Sequence, residues 1–340
     1  MGTGNTGTKF KALVDQITAI GFDWHSGWII ENSKRNKPFI DKSIRDLPRP
    51  TGPKAESAIV ISAGPSLYKN DILARIKRSG FVGSIIAIDG SYLGCVKAGL
   101  KPDYVLTLDP HPTRVVRWFG DPEYEKNSDG DDYFKRQDLD VSFRNNSIQQ
   151  NLKDIDLVDR QSSGVRLIIC STAPATVVAR VRAARFESFW WAPLVDDPAK
   201  QDSLTRAIVR ETGLPAMNTG GTVGTAAWVF ASTVLNIPRV AAVGMDLGYY
   251  KEDTGYKLTQ TYYSLLNRVG EEHIHEYFPE FTFPSTGERF YTDPTYYWYR
   301  GNLLDLVAAS KTTLYNCTGG GTLFGEGIEC LELEDFVNMA

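Results

Sequence analysis

The chain has 340 residues, of which 42% are hydrophobic and 23% charged, with a formal net charge of −4 at pH 7. This is the composition of a soluble globular protein with a sizeable core, organised as one large domain with appendages or as two domains. No basic run stands out, which argues against a nucleic-acid partner, and no apolar run approaches the roughly 20 residues of a membrane span. The start, Met1–Gly7, shows no basic segment followed by an apolar one, so the expected location is cytoplasmic with no transmembrane segment. Cys95, Cys170, Cys317 and Cys330 are scattered without paired short spacing, the pattern of buried free thiols rather than of a zinc site.

In chain order, Phe10, Leu13, Val14, Ile17 and Ile20 recur at helical spacing after a Gly/Thr-rich start. A Pro/Gly-rich link at 48–53 closes a helical lead-in over residues 1–53. Ala58-Ile59-Val60-Ile61 is aliphatic without polar alternation, as in a parallel strand covered on both faces. It runs into Gly64-Pro65-Ser66, a tight turn and helix start in which Ser66 is a candidate cap. The spacing then predicts a helix over 69–79, a strand over 83–89, a helix over 93–98 and a strand over 104–109. A polar excursion follows at about 120–161. The rhythm resumes with a strand over 165–170, a helix over 175–184, a short strand over 189–194, a helix opening after Met217–Gly224 and a strand over 240–246. This βαβ alternation predicts an α/β fold with a Rossmann-like, doubly wound, mostly parallel sheet over residues 54–248. Residues 249–299 differ, being crowded with Tyr, Phe, Pro and charge, and 249–340 read as an aromatic-rich cap that completes the domain, the aromatic stretch serving as a lid or acceptor-binding wall or as a mini-core.

Strand ends carry the candidate chemistry. Gly64-Pro65-Ser66, Asp89-Gly90-Ser91, Asp109-Pro110-His111 and Asp246-Leu247-Gly248 all fall at carboxyl ends, where open α/β sheets bind ligands. Asn218-Thr219-Gly220-Gly221-Thr222 precedes an apolar helix whose first N–H groups suit a phosphate or carboxylate, with Thr219 or Thr222 as cap. Neither Gly-x-Gly-x-x-Gly after the first strand nor a Walker lysine is present, which counts against NAD and P-loop chemistry. Asp109 can hold Mg²⁺ through phosphate oxygens, and His111 can act as acid or base. His273 and His275 are further candidate bases, although their glutamate-rich surroundings also fit a solvated helix face.

The series Ile59–Leu67, Ile86–Asp89, Gly99–Pro110, Thr219–Val223 and Val243–Leu247 resembles one family. It is shared by motility-associated factor (Maf) flagellin glycosyltransferases and archaeal hydroxymethyl-dihydropterin pyrophosphokinases. The resemblance implies a sialyltransferase-like fold that moves a nonulosonic (sialic-like) acid from a CMP-sugar cosubstrate to a hydroxyl of flagellin or another protein or glycan, with no tightly bound cofactor. In that reading Gly64, Pro65 and Ser66 hold the nucleotide phosphate and Asp89 and Asp109 line the pocket. Thr219 to Thr222 present N–H groups to the nucleotide or the sugar carboxylate. Two alternatives stand beside it: an ATP- and Mg-dependent pterin pyrophosphokinase with Asp109 at the metal, and a non-catalytic nucleotide-binding protein.

Overall fold

The computed structural model describes residues 7–129, 141–252, 256–257 and 259–339. Among them the strands are β1 (Ser57–Ile61), β2 (Ser84–Ile88), β3 (Tyr104–Thr107), β4 (Arg166–Cys170), β5 (Glu187–Leu194) and β6 (Ala216–Asn218), then β7 (Arg239–Val243), β8 (Tyr249–Tyr250), β9 (Glu280–Thr282), β10 (Arg289–Tyr291), β11 (Thr313–Asn316) and β12 (Ile328–Cys330). Helices separate most of the strands, and the fold is α/β with mostly parallel pairing. The chain divides into two compact units: Met1–Trp24, Pro50–Gly83 and Gly220–Ala340 form the first, and His25–Arg49 with Ser84–Thr219 the second.

In the first unit the parallel order is β12-β11-β7-β1. Ile59 lies opposite Ala241 in β7, and Tyr315 of β11 opposite the same Ala241. Ala58, Ile59, Val60 and Ile61 are fully buried, as are Val240 to Val243, so both strands are covered on both faces. A separate antiparallel sheet, β8-β10-β9, is built from the aromatic-rich stretch. Tyr250 and Phe290 of this sheet form one small core with Phe283, while Leu265, Ile274, Tyr277 and Phe278 form another with Tyr249, Tyr256 and Tyr262 packed against it. The aromatic composition therefore has a packing role in its own right. Sequence spacing predicts a last helix over 303–311; the helix runs instead over Pro294–Ala308, because Asp293 caps it and Pro294 fills its first turn.

In the second unit the parallel order is β2-β3-β4-β5-β6. Ile88 pairs with Leu106, Leu106 with Ile168, and Ile168 with Phe189. Of the polar excursion, 130–140 lie outside the described residues, while Val141–Gln161 is one helix. Sequence patterning passes over it because most of its length is polar; Val158 is fully buried and Ile155 lies against Gly120. The first helix also runs further than its apolar spacing indicates, over Thr8–Asn36. The helix Asp89–Lys97 begins directly at the end of β2, with Ser91 closing it back onto Ile88: the Ile88 N–H donates to Ser91 Oγ at 3.1 Å. Cys95, Cys170 and Cys317 are buried, and burial pushes each thiol up to about 12, so they are inert packing residues. Among the described residues no helix is long and apolar enough to cross a membrane.

Candidate functional site

In the first unit the glycine turn after β1 closes onto the carboxylate that follows β7. Ser66 donates to Asp246 Oδ2 twice, through its hydroxyl at 2.9 Å and its backbone N–H at 3.4 Å. The turn's other donors are also spent: Gly64 N–H on the Gly244 carbonyl at 2.8 Å, and Leu67 N–H on the Gly64 carbonyl at 3.1 Å. Ser66 thus does not cap the short helix it begins, where Pro65 stands at the cap position. The sequence-based expectation of N–H groups open to a phosphate at Gly64–Ser66 meets a turn whose donors already serve the chain itself. The anion at this helix start is Asp246.

Close approach is what demands glycine here. A Cβ on Gly64 would stand 1.9 Å from Asp246 Oδ2 and 2.5 Å from the Gly244 carbonyl. From the other side, Gly321 lies against the Asp246 backbone, and the Thr322 N–H donates to the Asp246 carbonyl at 2.7 Å. Asp246 is 3% exposed, and burial pushes its pKa up to about 6 against the pull of Ser66. Its Oδ1 is buried without a hydrogen-bond partner among the described residues, as are the hydroxyls of Ser62 and Thr225. Ser62 Oγ would be 2.8 Å from a Cβ on Gly224, so part of this unsatisfied polarity lies where the helix Val223–Val229 meets the end of β1.

Thr222 caps that helix as predicted, its Oγ1 accepting the Thr225 N–H at 3.1 Å. Gly220 and Gly221, both at positive φ, pack under the helix Pro294–Ala308. Asn302 Nδ2 donates to the Gly220 carbonyl at 3.2 Å, and a Cβ on Gly221 would be 2.6 Å from the rings of Trp298 and Tyr299. The structure thus brings Gly64, Pro65, Ser66 and Asp246 together in this unit and sets Gly220, Gly221 and Thr222 against the aromatic helix. His273 and His275 stand apart, both exposed, at a turn whose Ile274 and Tyr277 face inward, and His273 Nδ1 pairs with Glu276 at 2.9 Å. That is the solvated-face alternative of the sequence reading.

The second unit gathers the other candidates. Asp89 is 5% exposed, with Oδ2 accepting the Thr107 hydroxyl at 2.8 Å and Oδ1 the Gly90 N–H at 2.7 Å. Burial pushes its pKa up to about 7; those two bonds oppose the shift, and the nearby Asp109 charge adds to it. Asp109 is exposed, and its Oδ1 accepts the His111 backbone N–H at 2.8 Å, an Asx turn that orders Asp-Pro-His. His111 Nδ1 accepts the Thr113 N–H at 3.3 Å, and its ring meets the Trp28 ring edge-on at 5.4 Å. Asn218 ends β6 opposite Leu194, with Thr219 the last residue of this unit.

Sequence reasoning missed two residues here. Asn32 Nδ2 donates to the Thr172 carbonyl at 2.8 Å and to the Pro110 carbonyl at 3.3 Å, and Asn36 Nδ2 to the Ser171 and Ala173 carbonyls at 2.9 and 2.7 Å. These two buried amides tie the ends of β3 and β4 to the first helix. Their i,i+4 spacing was the available signal, since it puts both on one helix face. Among the described residues no group of three or more His, Cys, Asp or Glu stands in metal-binding arrangement.

Parallel strands that deliver acidic and hydroxyl side chains to their carboxyl ends define an α/β protein of the Rossmann-like class. Residues 29–120 match the family model described as 6-hydroxymethylpterin diphosphokinase MptE-like. The structure resembles that of a Maf glycosyltransferase from Magnetospirillum magneticum AMB-1, with a TM-score of 0.53 and 15% sequence identity. The likeness covers 92% of this chain and 40% of that one, so the chain spans well under half the length of that glycosyltransferase. No curated protein sequence matches it. The Maf-like and MptE-like resemblance read from the motifs is supported twice, by sequence over residues 29–120 and by fold over most of the chain.

Proposed function

We propose that the chain is a nucleotide-dependent transferase that moves a nonulosonic acid from a CMP donor to a protein or glycan hydroxyl. The observation that carries a ligand-binding role is Asp246. A buried carboxylate with one oxygen unpartnered, forced against Gly64, costs stability, and such arrangements cluster at functional sites. The choice of a glycosyl donor rests on the likeness to the Maf glycosyltransferase and on the motif order. The transfer itself is a direct displacement, in which a base takes the acceptor proton and hydrogen-bond donors stabilise the departing phosphate. Thr219, Gly220, Gly221 and Thr222 are the segment proposed for the phosphate, because they lead into the start of the helix Val223–Val229.

A second reading has its own support. The MptE-like match over residues 29–120 favours a pyrophosphokinase acting on a pterin alcohol with ATP and Mg²⁺, Asp109 being the carboxylate proposed for the ion.

Thermal unfolding with CMP, CDP, ATP and GTP, each with Mg²⁺ and with chelator, separates the two. A ligand that binds only the folded state adds about 2.7 kcal/mol at 100 times its Kd. CMP is expected to raise Tm with or without chelator. A shift with ATP that requires Mg²⁺ supports the pyrophosphokinase instead, and no shift with any nucleotide overturns both.

A further inference from the structure

Asp293 does more than cap a helix. Its Oδ1 accepts the Tyr296 backbone N–H at 2.8 Å, which is all that the start of Pro294–Ala308 requires. Its Oδ2 accepts the Tyr249 hydroxyl, also at 2.8 Å. The carboxylate is 1% exposed, and burial holds its pKa above the ordinary carboxylate range. A neutral serine or threonine would cap the helix without burying a charge, so capping alone does not explain an acid here.

The pair is fastened beside the strand end described above. Asp246 precedes Tyr249 by three residues, and Thr292 Oγ1 donates to the Leu247 carbonyl at 3.1 Å. A Cβ on Gly248 would lie 2.8 Å from the Tyr291 carbonyl, so β10 runs directly against the Asp246–Gly248 turn. Along the same helix, Asn302 and the rings of Trp298 and Tyr299 hold Gly220 and Gly221. Tyr296 lies between, its ring centroid 5.3 Å from that of Tyr249. One element thus links the Tyr249–Asp293 pair, the Asp246 turn and the glycine loop within a single unit.

We propose that Tyr249, backed by Asp293, takes the proton from the acceptor hydroxyl in the transfer reaction; the inference rests on the transferase reading given above. The acceptor O–H bond breaks and its proton passes to Tyr249 Oη, while the proton already on Oη passes to Asp293 Oδ2. The negative charge moves from Asp293 to the acceptor oxygen, which forms the new bond to the sugar as the phosphate leaves with its electron pair. A tyrosine that donates to a carboxylate has an electron-rich oxygen, and burial raises the proton affinity of that carboxylate. Tyr249 is the catalytic residue. Asp293 acts through it as the positioning residue and final proton acceptor.

The titratable group facing the pair is Tyr296 from the capped helix, whose hydroxyl acts on that of Tyr249, with the Asp246 charge acting on Tyr296 in turn. At low pH Asp293 acquires a solvent proton and can no longer receive the one on Tyr249, so the rate falls on the acid side.

The test compares wild type with Tyr249→Phe, Asp293→Asn and Asp293→Ser, using a CMP-nonulosonate donor, a hydroxyl acceptor and a direct assay of CMP release. Asp293→Asn keeps Oδ1 for the cap, and Asp293→Ser supplies a second cap should the amide misfold. Tyr249→Phe is expected to lower kcat by about 10²- to 10⁴-fold with donor KM close to wild type, and to lower Tm because Asp293 Oδ2 loses its buried donor. Either Asp293 variant is expected to lower kcat and to abolish the acid limb of the pH profile, which a purely structural cap would leave in place. Wild-type turnover that persists in Tyr249→Phe with an unchanged pH profile overturns the relay and leaves the transferase reading standing. No CMP release by wild type with any donor overturns the transferase reading and this role with it.

Discussion

Gly64→Ala is expected to destabilise the protein by about 3 kcal/mol, at the upper end for overpacking a filled site. The added carbon falls 1.9 Å from Asp246 Oδ2 and 2.5 Å from the Gly244 carbonyl. Backbone cannot give way as a flexible side chain can, so either β1 and β7 separate locally or Asp246 is pushed off Ser66. Chemical denaturation should show a lower midpoint with an unchanged slope. The nucleotide-induced Tm shift proposed above should vanish with it. Gly27→Ala is the control: its Cβ meets nothing within 4 Å, and replacing a helical glycine should raise stability by up to about 1 kcal/mol. Equal midpoints for wild type and Gly64→Ala would mean that the turn does not hold the carboxylate as described.

Asp89 should make the fold less stable as the pH rises. Its pKa goes from an ordinary 3.8 to about 7 in the folded protein, because burial disfavours the charged form. Below pH 3.8 both states carry the proton and nothing is lost. Between pH 3.8 and 7 the folded state alone retains it, so stability falls through that window by about 4 kcal/mol and stays low above it. Asp246, raised to about 6, adds a loss of about 3 kcal/mol across a narrower window by the same argument. In Asp89→Asn the amide can still accept from Gly90 and can donate to the Thr107 hydroxyl. The variant should therefore match wild type near pH 4 and exceed it at pH 8. Denaturation curves at both pH values read this difference, and a constant gap between the proteins would contradict it. Buried acids that cost stability at neutral pH fit a site kept for binding or chemistry rather than for folding.

Much of the parallel framework was legible from local pattern. Runs such as Ala58–Ile61 and Val240–Val243 are aliphatic without alternation, which only a strand covered on both faces requires, and both are fully buried in parallel register. Thr222 was readable as a cap because its residue type and the apolar run behind it are local signals. The helix Val141–Gln161 was not, since most of its surface is polar and a few apolar contacts such as Val158 anchor it. Its neighbour 130–140 lies outside the described residues.

What the sequence determined by itself is therefore the α/β class, the parallel strands and which acidic residues stand at their carboxyl ends. Periodicity and residue type encode these over a few positions at a time. Only the tertiary structure decided what those residues do to one another. It placed Asp246, 180 positions from Ser66, on the donors of the glycine turn, left His273 and His275 on an exposed face, and joined Tyr249 to Asp293 across 44 positions. Such pairings depend on chain closure and on where burial strips water from a charge, and neither is written in any local stretch of the chain.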